Sequence, residues 1–209
     1  MDVFLLSDEN ELVPLDVKAR RHATGFSVSV FRPRALGSVS MQIERWTSLG
    51  DASDVHWRTI SGSSTTCIFG QEDSSRIYDV DPPTGDRRIF SWLLSESCDV
   101  FGNIMKYKYK AGDLGGLESL SGDVQVLERD RSAAIIGRTK YLKSIHYRNT
   151  TPNRSISDWQ LEPYHGPWLF QVILDDGDHD TSTSRIEPDE KWPARQDRFS
   201  VCTSGFEIR

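Results

Sequence analysis

The densest set of potential ligand atoms in this sequence is the acidic run Asp175-Asp176-Gly177-Asp178-His179-Asp180. Asp176, Asp178 and Asp180 occupy alternate positions, so a curled loop could turn several carboxylate oxygens onto one calcium ion. A calcium loop of the EF-hand type needs glycine at its sixth place and glutamate at its twelfth. Counted from Asp176, those places hold Thr181 and Glu187, so only the glutamate agrees. An acidic turn after a strand is the ordinary reading of such a run. Asp176, Asp178 and Asp180 are the candidate metal ligands, with calcium as the metal.

Groups suited to covalent chemistry are scattered. Ser182-Thr183-Ser184 has the composition of the Ser-Thr-Ser strand of ADP-ribosyltransferases, which also need a downstream Glu-x-Glu. Here the triplet lies in a polar stretch, its nearest acids are Glu187, Asp189 and Glu190, and no Glu-x-Glu follows it. The sequence has no G-x-S-x-G elbow, no P-loop and no G-x-G-x-x-G. His22, His56, His146, His165 and His179 are dispersed. His56 and His146 fall opposite the apolar residues of strand-like segments, where an exposed or interface histidine is expected. Cys67, Cys98 and Cys202 form no C-x-x-C, so neither a zinc site nor a disulfide framework is indicated. Free thiols are expected, with a Cys67–Cys98 or Cys98–Cys202 bridge left open. The expectation is a protein that is not an enzyme and carries no cofactor.

The six tryptophans suit either stacking on a sugar, as in a glycan-binding module, or packing. Trp57, Trp92 and Trp168 lie inside apolar strand patterns and are expected to pack, since each aromatic buries roughly 150–250 Å². Trp159 and Trp192 lie in polar, proline-flanked loops and are the better surface candidates. Sequons at Asn149 and Asn153 carry no weight without a secretory signal.

Any such site must be positioned by β-structure. Apolar residues alternate in Phe26-Ser-Val28-Ser-Val30, in Val39-Ser-Met41-Gln-Ile43 and in Met105-Lys-Tyr107-Lys-Tyr109-Lys. The last predicts lysines on a wet face and large side chains on the other. Trp168, Phe170, Val172 and Leu174 share a face in the same way. Ser61–Ser64 and Cys98–Asn103 read as hairpin loops, and Pro82–Asp86 as a loop between strands. The stretch from Asp123 to Gly137 could form one helix. The expected fold is mainly β, an antiparallel hairpin-rich sheet of about ten short strands with at most one or two short helices.

Composition excludes several classes. With 209 residues, of which 37% are hydrophobic, the chain can bury a core. Its net charge of −6 argues against nucleic acid or an anionic membrane as partner. The basic clusters Lys18–Arg21 and Lys106–Lys110 read as solvated faces. No run is long enough to span a membrane and no signal peptide is seen. Both ends read as cut in mid-pattern, at Val3–Leu6 and at Gly205–Arg209. Residues 1–209 are therefore expected to be one partial domain with no second one.

The run R-I-F-S-W-L-L-S-E-S-C-D-V-F-G-N-I-M-K-Y-K-Y-K between Arg88 and Lys110 closely resembles a signature of the SpvB family. That family comprises the Salmonella virulence plasmid 65 kDa B protein and the B components of Tc insecticidal toxin complexes. Collinear segments resemble it too: Asp2–Ser7 with Glu11–Pro14, Phe31–Arg34 with Ile43-Glu-Arg-Trp46, Tyr141–Lys143 with Tyr147-Arg-Asn149, Trp168–Phe170, Asp175–Asp180 and Gly205–Arg209. The resemblance implies a non-catalytic scaffold segment of a β-sheet shell that houses and delivers a toxin. It implies a Tc-type C component with Rhs repeats and an A channel as partners. It also implies manufacture in the cytoplasm and action outside the cell. The alternatives are a virulence protein lacking its ADP-ribosyltransferase module, and a calcium- or glycan-binding extracellular β module.

Overall fold

The computed structural model describes residues 3–6, 11–15, 20–21, 25–35, 41–112, 138–152, 164–174, 201–203 and 206–208. Fifteen strands lie among them. In chain order they begin with β1 (Phe4–Leu5), β2 (Glu11–Pro14), β3 (Arg20–Arg21), β4 (Phe26–Pro33) and β5 (Met41–Ser48). Next come β6 (Val55–Ser61), β7 (Thr66–Phe69), β8 (Arg76–Val80), β9 (Arg87–Trp92) and β10 (Leu94–Cys98). The last five are β11 (Ile104–Ala111), β12 (Lys140–Asn149), β13 (Trp168–Ile173), β14 (Val201–Thr203) and β15 (Phe206–Ile208). A 3-10 turn at Asp73–Ser75 is the helical element of the described residues. The mainly antiparallel, hairpin-rich β-fold is as the alternation predicts. The count exceeds ten because strands of two or three residues are too short to alternate visibly. The possible helix from Asp123 to Gly137 falls outside the described residues.

Eleven strands form one sheet, hydrogen-bonded in the order β1-β2-β4-β5-β6-β7-β10-β11-β12-β13, with β3 beside β4. Two hairpins, β8-β9 and β14-β15, stand apart from it. Short turns join β5 to β6, β6 to β7 and β10 to β11, whereas β7 reaches β10 through the β8-β9 hairpin. Gly102, at φ +82°, supplies the left-handed residue between β10 and β11. Asp99 fixes that turn: its Oδ1 accepts the backbone N–H of Phe101 and Asn103, and its Oδ2 accepts the Asn103 amide.

Two compact units divide the chain: residues 1–106 with 146–170, and residues 107–145 with 171–209. In the first, both faces of the sheet are buried. One face holds Leu12, Phe31, Ile43 and Trp57, with Phe4, Phe69 and Trp92 packed against them. The other holds Ile68 and Ile104, joined by Cys98, Tyr164 and Trp168. The second unit contains the outer halves of β11 and β12, tied where Gly112 N–H donates to Thr139 O at 2.9 Å. It also contains the β14-β15 hairpin, in register from Val201↔Ile208 to Thr203↔Phe206.

Burial on both faces corrects several expectations. His56, expected to be exposed or at an interface, is buried within the fold between Trp46 and Phe26, because its face is covered as well as that of Trp57. In β11 the lysine face is not simply the wet one: Lys106 is 4% exposed and Met105 39%. Parity explains the inversion, since Lys106 shares its face with fully buried Ile104. The stripe Trp168, Phe170, Val172, Leu174 exists, but beyond Trp168 it is exposed, on the strand that ends the sheet order. The stretch Ile89–Ser97 falls in two strands, β9 and β10. It breaks at Leu93, whose N–H donates to Ser75 O and whose carbonyl accepts the Gly70 N–H.

Candidate functional site

Alternation along β5, β6 and β7 puts Ile43, Trp57 and Phe69 on one face, and there they floor an apolar groove of about 880 Å³. Its walls are residues 3–6 on one side and β9 on the other. Trp57 is the centre of an aromatic cluster in edge-on contact: Phe4 to Trp57 is 5.1 Å, Phe31 to Trp57 5.0 Å and Trp57 to Trp92 5.9 Å between centroids. Edge-to-face rings at such spacings gain beyond their buried area. Trp92 reaches this cluster because its indole N–H donates to Val55 O at 2.8 Å. It also lies directly over Gly70, whose φ is +68° and where a Cβ would collide with the indole.

The opposite face carries a transverse row of side chains. The pairings Val30↔Glu44, Glu44↔Arg58, Arg58↔Ile68, Ile68↔Glu96 and Glu96↔Lys106 line it up across six strands. Glu44 is 5% exposed, Arg58 7% and Glu96 0%. Burying such charges is costly unless they are paired and hydrogen-bonded. Glu44 Oε2 accepts Arg58 Nη2 at 2.7 Å, Arg58 Nε at 2.9 Å and Trp46 Nε1 at 2.9 Å. The Arg58 guanidinium also sits 4.9 Å over the Trp46 ring. Lys106 Nζ lies 2.7 Å from Glu72 Oε1 and 3.6 Å from Glu96 Oε1, and Glu96 Oε1 accepts the Tyr164 N–H at 2.8 Å.

Near this row, burial pushes His56 down to about 4, helped by Arg76 and Arg58 and opposed by Asp54. Arg76 is itself buried, held by Asp54 at 2.7 Å. Burial likewise pushes the Cys98 thiol up to about 11 and raises that of Cys67. Cys67 and Cys98 are free. Thr66, not Cys67, pairs with Cys98, so the two thiols face opposite sides of the sheet and cannot bridge.

Asn149 closes the end of β10-β11. Its Oδ1 accepts the Ile104 N–H at 2.9 Å, and its Nδ2 donates to Gly102 O at 2.9 Å and Thr151 O at 2.7 Å. Both amide hydrogens of this sequon are therefore engaged. Arg148, at φ +58°, turns the chain so that Asn149 points inward.

Of the residues singled out from sequence, Trp57 and Trp92 pack as expected and Trp168 joins the second cluster. The candidate calcium ligands Asp176, Asp178 and Asp180 lie outside the described residues, as do the Ser182–Ser184 triplet, Trp159 and Trp192. Among the described residues no group of three His, Cys, Asp or Glu side chains gathers to hold a metal. Sequence reasoning missed Glu44, Glu96, Lys106 and Asn149. The signal available for Glu44 and Lys106 was parity: each shares its face with a buried apolar residue two positions away, Trp46 and Ile104.

The fold and these positions define the class. The family model described as "Salmonella virulence plasmid 65kDa B protein" matches residues 1–209, and the chain belongs to that SpvB family. Among curated relatives, the mono(ADP-ribosyl)transferase SpvB of Salmonella typhimurium is 28% identical over 188 residues, covering 88% of this chain and 29% of its own. The same protein of Salmonella dublin matches equally. The chain thus spans 29% of the length of these relatives. The solved N-terminal domain of effector protein SpvB from Salmonella typhimurium strain LT2 superposes with a TM-score of 0.69 at 26% identity, over 99% of this chain and 66% of that one. The TcdB2-TccC3-Cdc42 crystal structure gives a TM-score of 0.70 at 25% identity, over 99% of this chain and 10% of that one.

Proposed function

We propose that this chain is a non-catalytic scaffold segment of a Tc-type toxin B component, part of the β-sheet shell that encloses and delivers a toxin. The observation that carries this reading is the use to which the family-signature residues are put. Glu44 and Trp46 of I-E-R-W, then Trp92, Glu96, Asp99, Gly102 and Asn103, and finally Asn149, all hold strands or turns together through internal bonds. These signature residues are used in building the sheet. Similarity to TcdB2-TccC3 over 99% of the chain supports a Tc-type C component as partner. On this reading an A channel completes the assembly, which acts outside the cell. No helix of the described residues is long and apolar enough to cross a membrane.

The test is co-purification of the full chain with a Tc-type C component. Retention of the C component supports the scaffold role; a chain that stays monomeric and retains neither C component nor A channel refutes it. The name of the curated relatives favours a second reading, ADP-ribosyl transfer. Incubation with labelled NAD and acceptor protein distinguishes the two, and no transfer of label is expected.

A further inference from the structure

The groove over Trp57 has a charge pattern unlike the rest of the molecule. The chain as a whole carries −6, yet the charged side chains lining the groove, among the described residues, are Arg45, Arg87 and Arg88, with no carboxylate. Asp73 and Asp81, which pair with Arg87 at 2.6 Å and Arg88 at 3.0 Å, do not line it. Those pairs are partly exposed, with Arg88 68% accessible, so each is weak and leaves guanidinium donors for another carboxylate. The Arg45 guanidinium lies 5.2 Å over the Phe4 ring, at the wall.

The apolar pattern is equally particular. Val3 is 65% exposed, Leu5 63% and Phe90 59%, and all three border the groove. Large apolar groups left exposed in one place mark an interaction surface. The two walls, β1 and β9, each hydrogen-bond to a single neighbouring strand among the described residues, β2 and β8 respectively. Strands at such a position are where an extended segment can add by main-chain pairing.

We infer that this groove is a docking slot for an extended peptide segment of a partner protein, one that alternates apolar side chains with carboxylates. The apolar side chains would enter over Trp57 and Phe69, and the carboxylates would meet Arg87 and Arg88 at the rim. Main-chain hydrogen bonds would supply affinity and the alternating side chains specificity. This inference is independent of the scaffold reading, which concerns the family-signature residues.

The experiment uses the full chain and two pools of octapeptides, in which Val, Ile, Leu or Phe alternate with glutamate in one pool and with lysine in the other. Binding is read by calorimetry and by tryptophan fluorescence. The glutamate pool is expected to bind at least about tenfold tighter, and Arg88→Glu to remove that preference, because rim charges set electrostatic selectivity. Arg88 is 68% exposed, so the circular dichroism of this variant is expected to match that of wild type. Leu5→Asp is expected to weaken binding about as much, with the circular dichroism unchanged. Equal binding of both pools, or binding of neither, overturns the inference. So does a concentration-dependent dimer in sedimentation that Leu5→Asp abolishes, since it would give the groove to a second copy of the chain.

Discussion

Replacing Asn149 with alanine tests how the hairpin at the end of β10-β11 is held. The wild-type side chain accepts from Ile104 N–H and donates to Gly102 O and Thr151 O, all within 2.9 Å and all at a buried residue. An average buried hydrogen bond contributes about 1 kcal/mol net, so the three together are worth about 3 kcal/mol. The Ile104 N–H would be the group left worst off, since Ile104 is fully buried. Its desolvation without a partner keeps the loss from falling much below that figure. In urea, with a slope of about 2 kcal/mol per molar, the midpoint should fall by roughly 1.5 M. Asn149→Asp sharpens the test. It keeps the acceptor for Ile104 N–H but loses both donors and sets a carboxylate against two carbonyl oxygens, so it should be no better than alanine. Equilibrium unfolding followed by tryptophan fluorescence measures both. A midpoint for Asn149→Ala within about 0.2 M of wild type would refute the clamp.

Lys106→Met should destabilise the first unit by about 3 kcal/mol or more, because Glu96 would lose the ammonium 3.6 Å away while fully buried. The double change Lys106→Met with Glu96→Gln should recover most of that loss, as a double-mutant cycle in urea would read. Gly70→Ala combines a positive φ with a collision against Trp92 and should cost about 2 kcal/mol or more. Near-ultraviolet circular dichroism should lose signal as Trp92 leaves the aromatic cluster. His56, held at about 4 when folded against about 6.5 unfolded, binds its proton more readily in the unfolded chain. Its contribution to stability is complete above pH 6.5 and is lost as the pH falls through 4, up to about 3 kcal/mol. His56→Gln should flatten the melting temperature between pH 7 and pH 4.5 relative to wild type.

What could be read from the sequence was whatever repeats along a strand. Phe26, Val28 and Val30 alternate, and they form β4; the turn chemistry of Asp99 to Asn103 gave the β10-β11 junction. The resemblance between Arg88 and Lys110 gave the family. What could not be read depends on whether the second face of the sheet is wet or dry. A single wet face was the natural assumption for Met105-Lys-Tyr-Lys-Tyr, and it misplaces Lys106. The same assumption exposed His56, which is buried. Nor does a strand carry a mark for what crosses from it. Glu44 and Arg58 are 14 residues apart, and only the pairing of β5 with β6 makes them neighbours. The groove was equally hidden, because its walls come from opposite ends of the first hundred residues, β1 and β9.

The row from Glu44 to Lys106 bears on how this sheet finds its alignment. A strand that slides by one residue turns every side chain to the wrong face, and hydrophobic patterning rejects it. A slide by two residues keeps every side chain on its own face, so patterning cannot detect the error. Sliding β6 by two against β5 would set Glu44 opposite Ile60 or His56 instead of Arg58. The same step at β10 and β11 would set Glu96 opposite Ile104 or Lys108. Most such misalignments strand a charge in the interior at a cost of several kcal/mol. The buried charges thus behave as alignment pins. They make the even-numbered slips of a long, repetitive sheet, which its apolar residues would tolerate, the ones it can least accommodate.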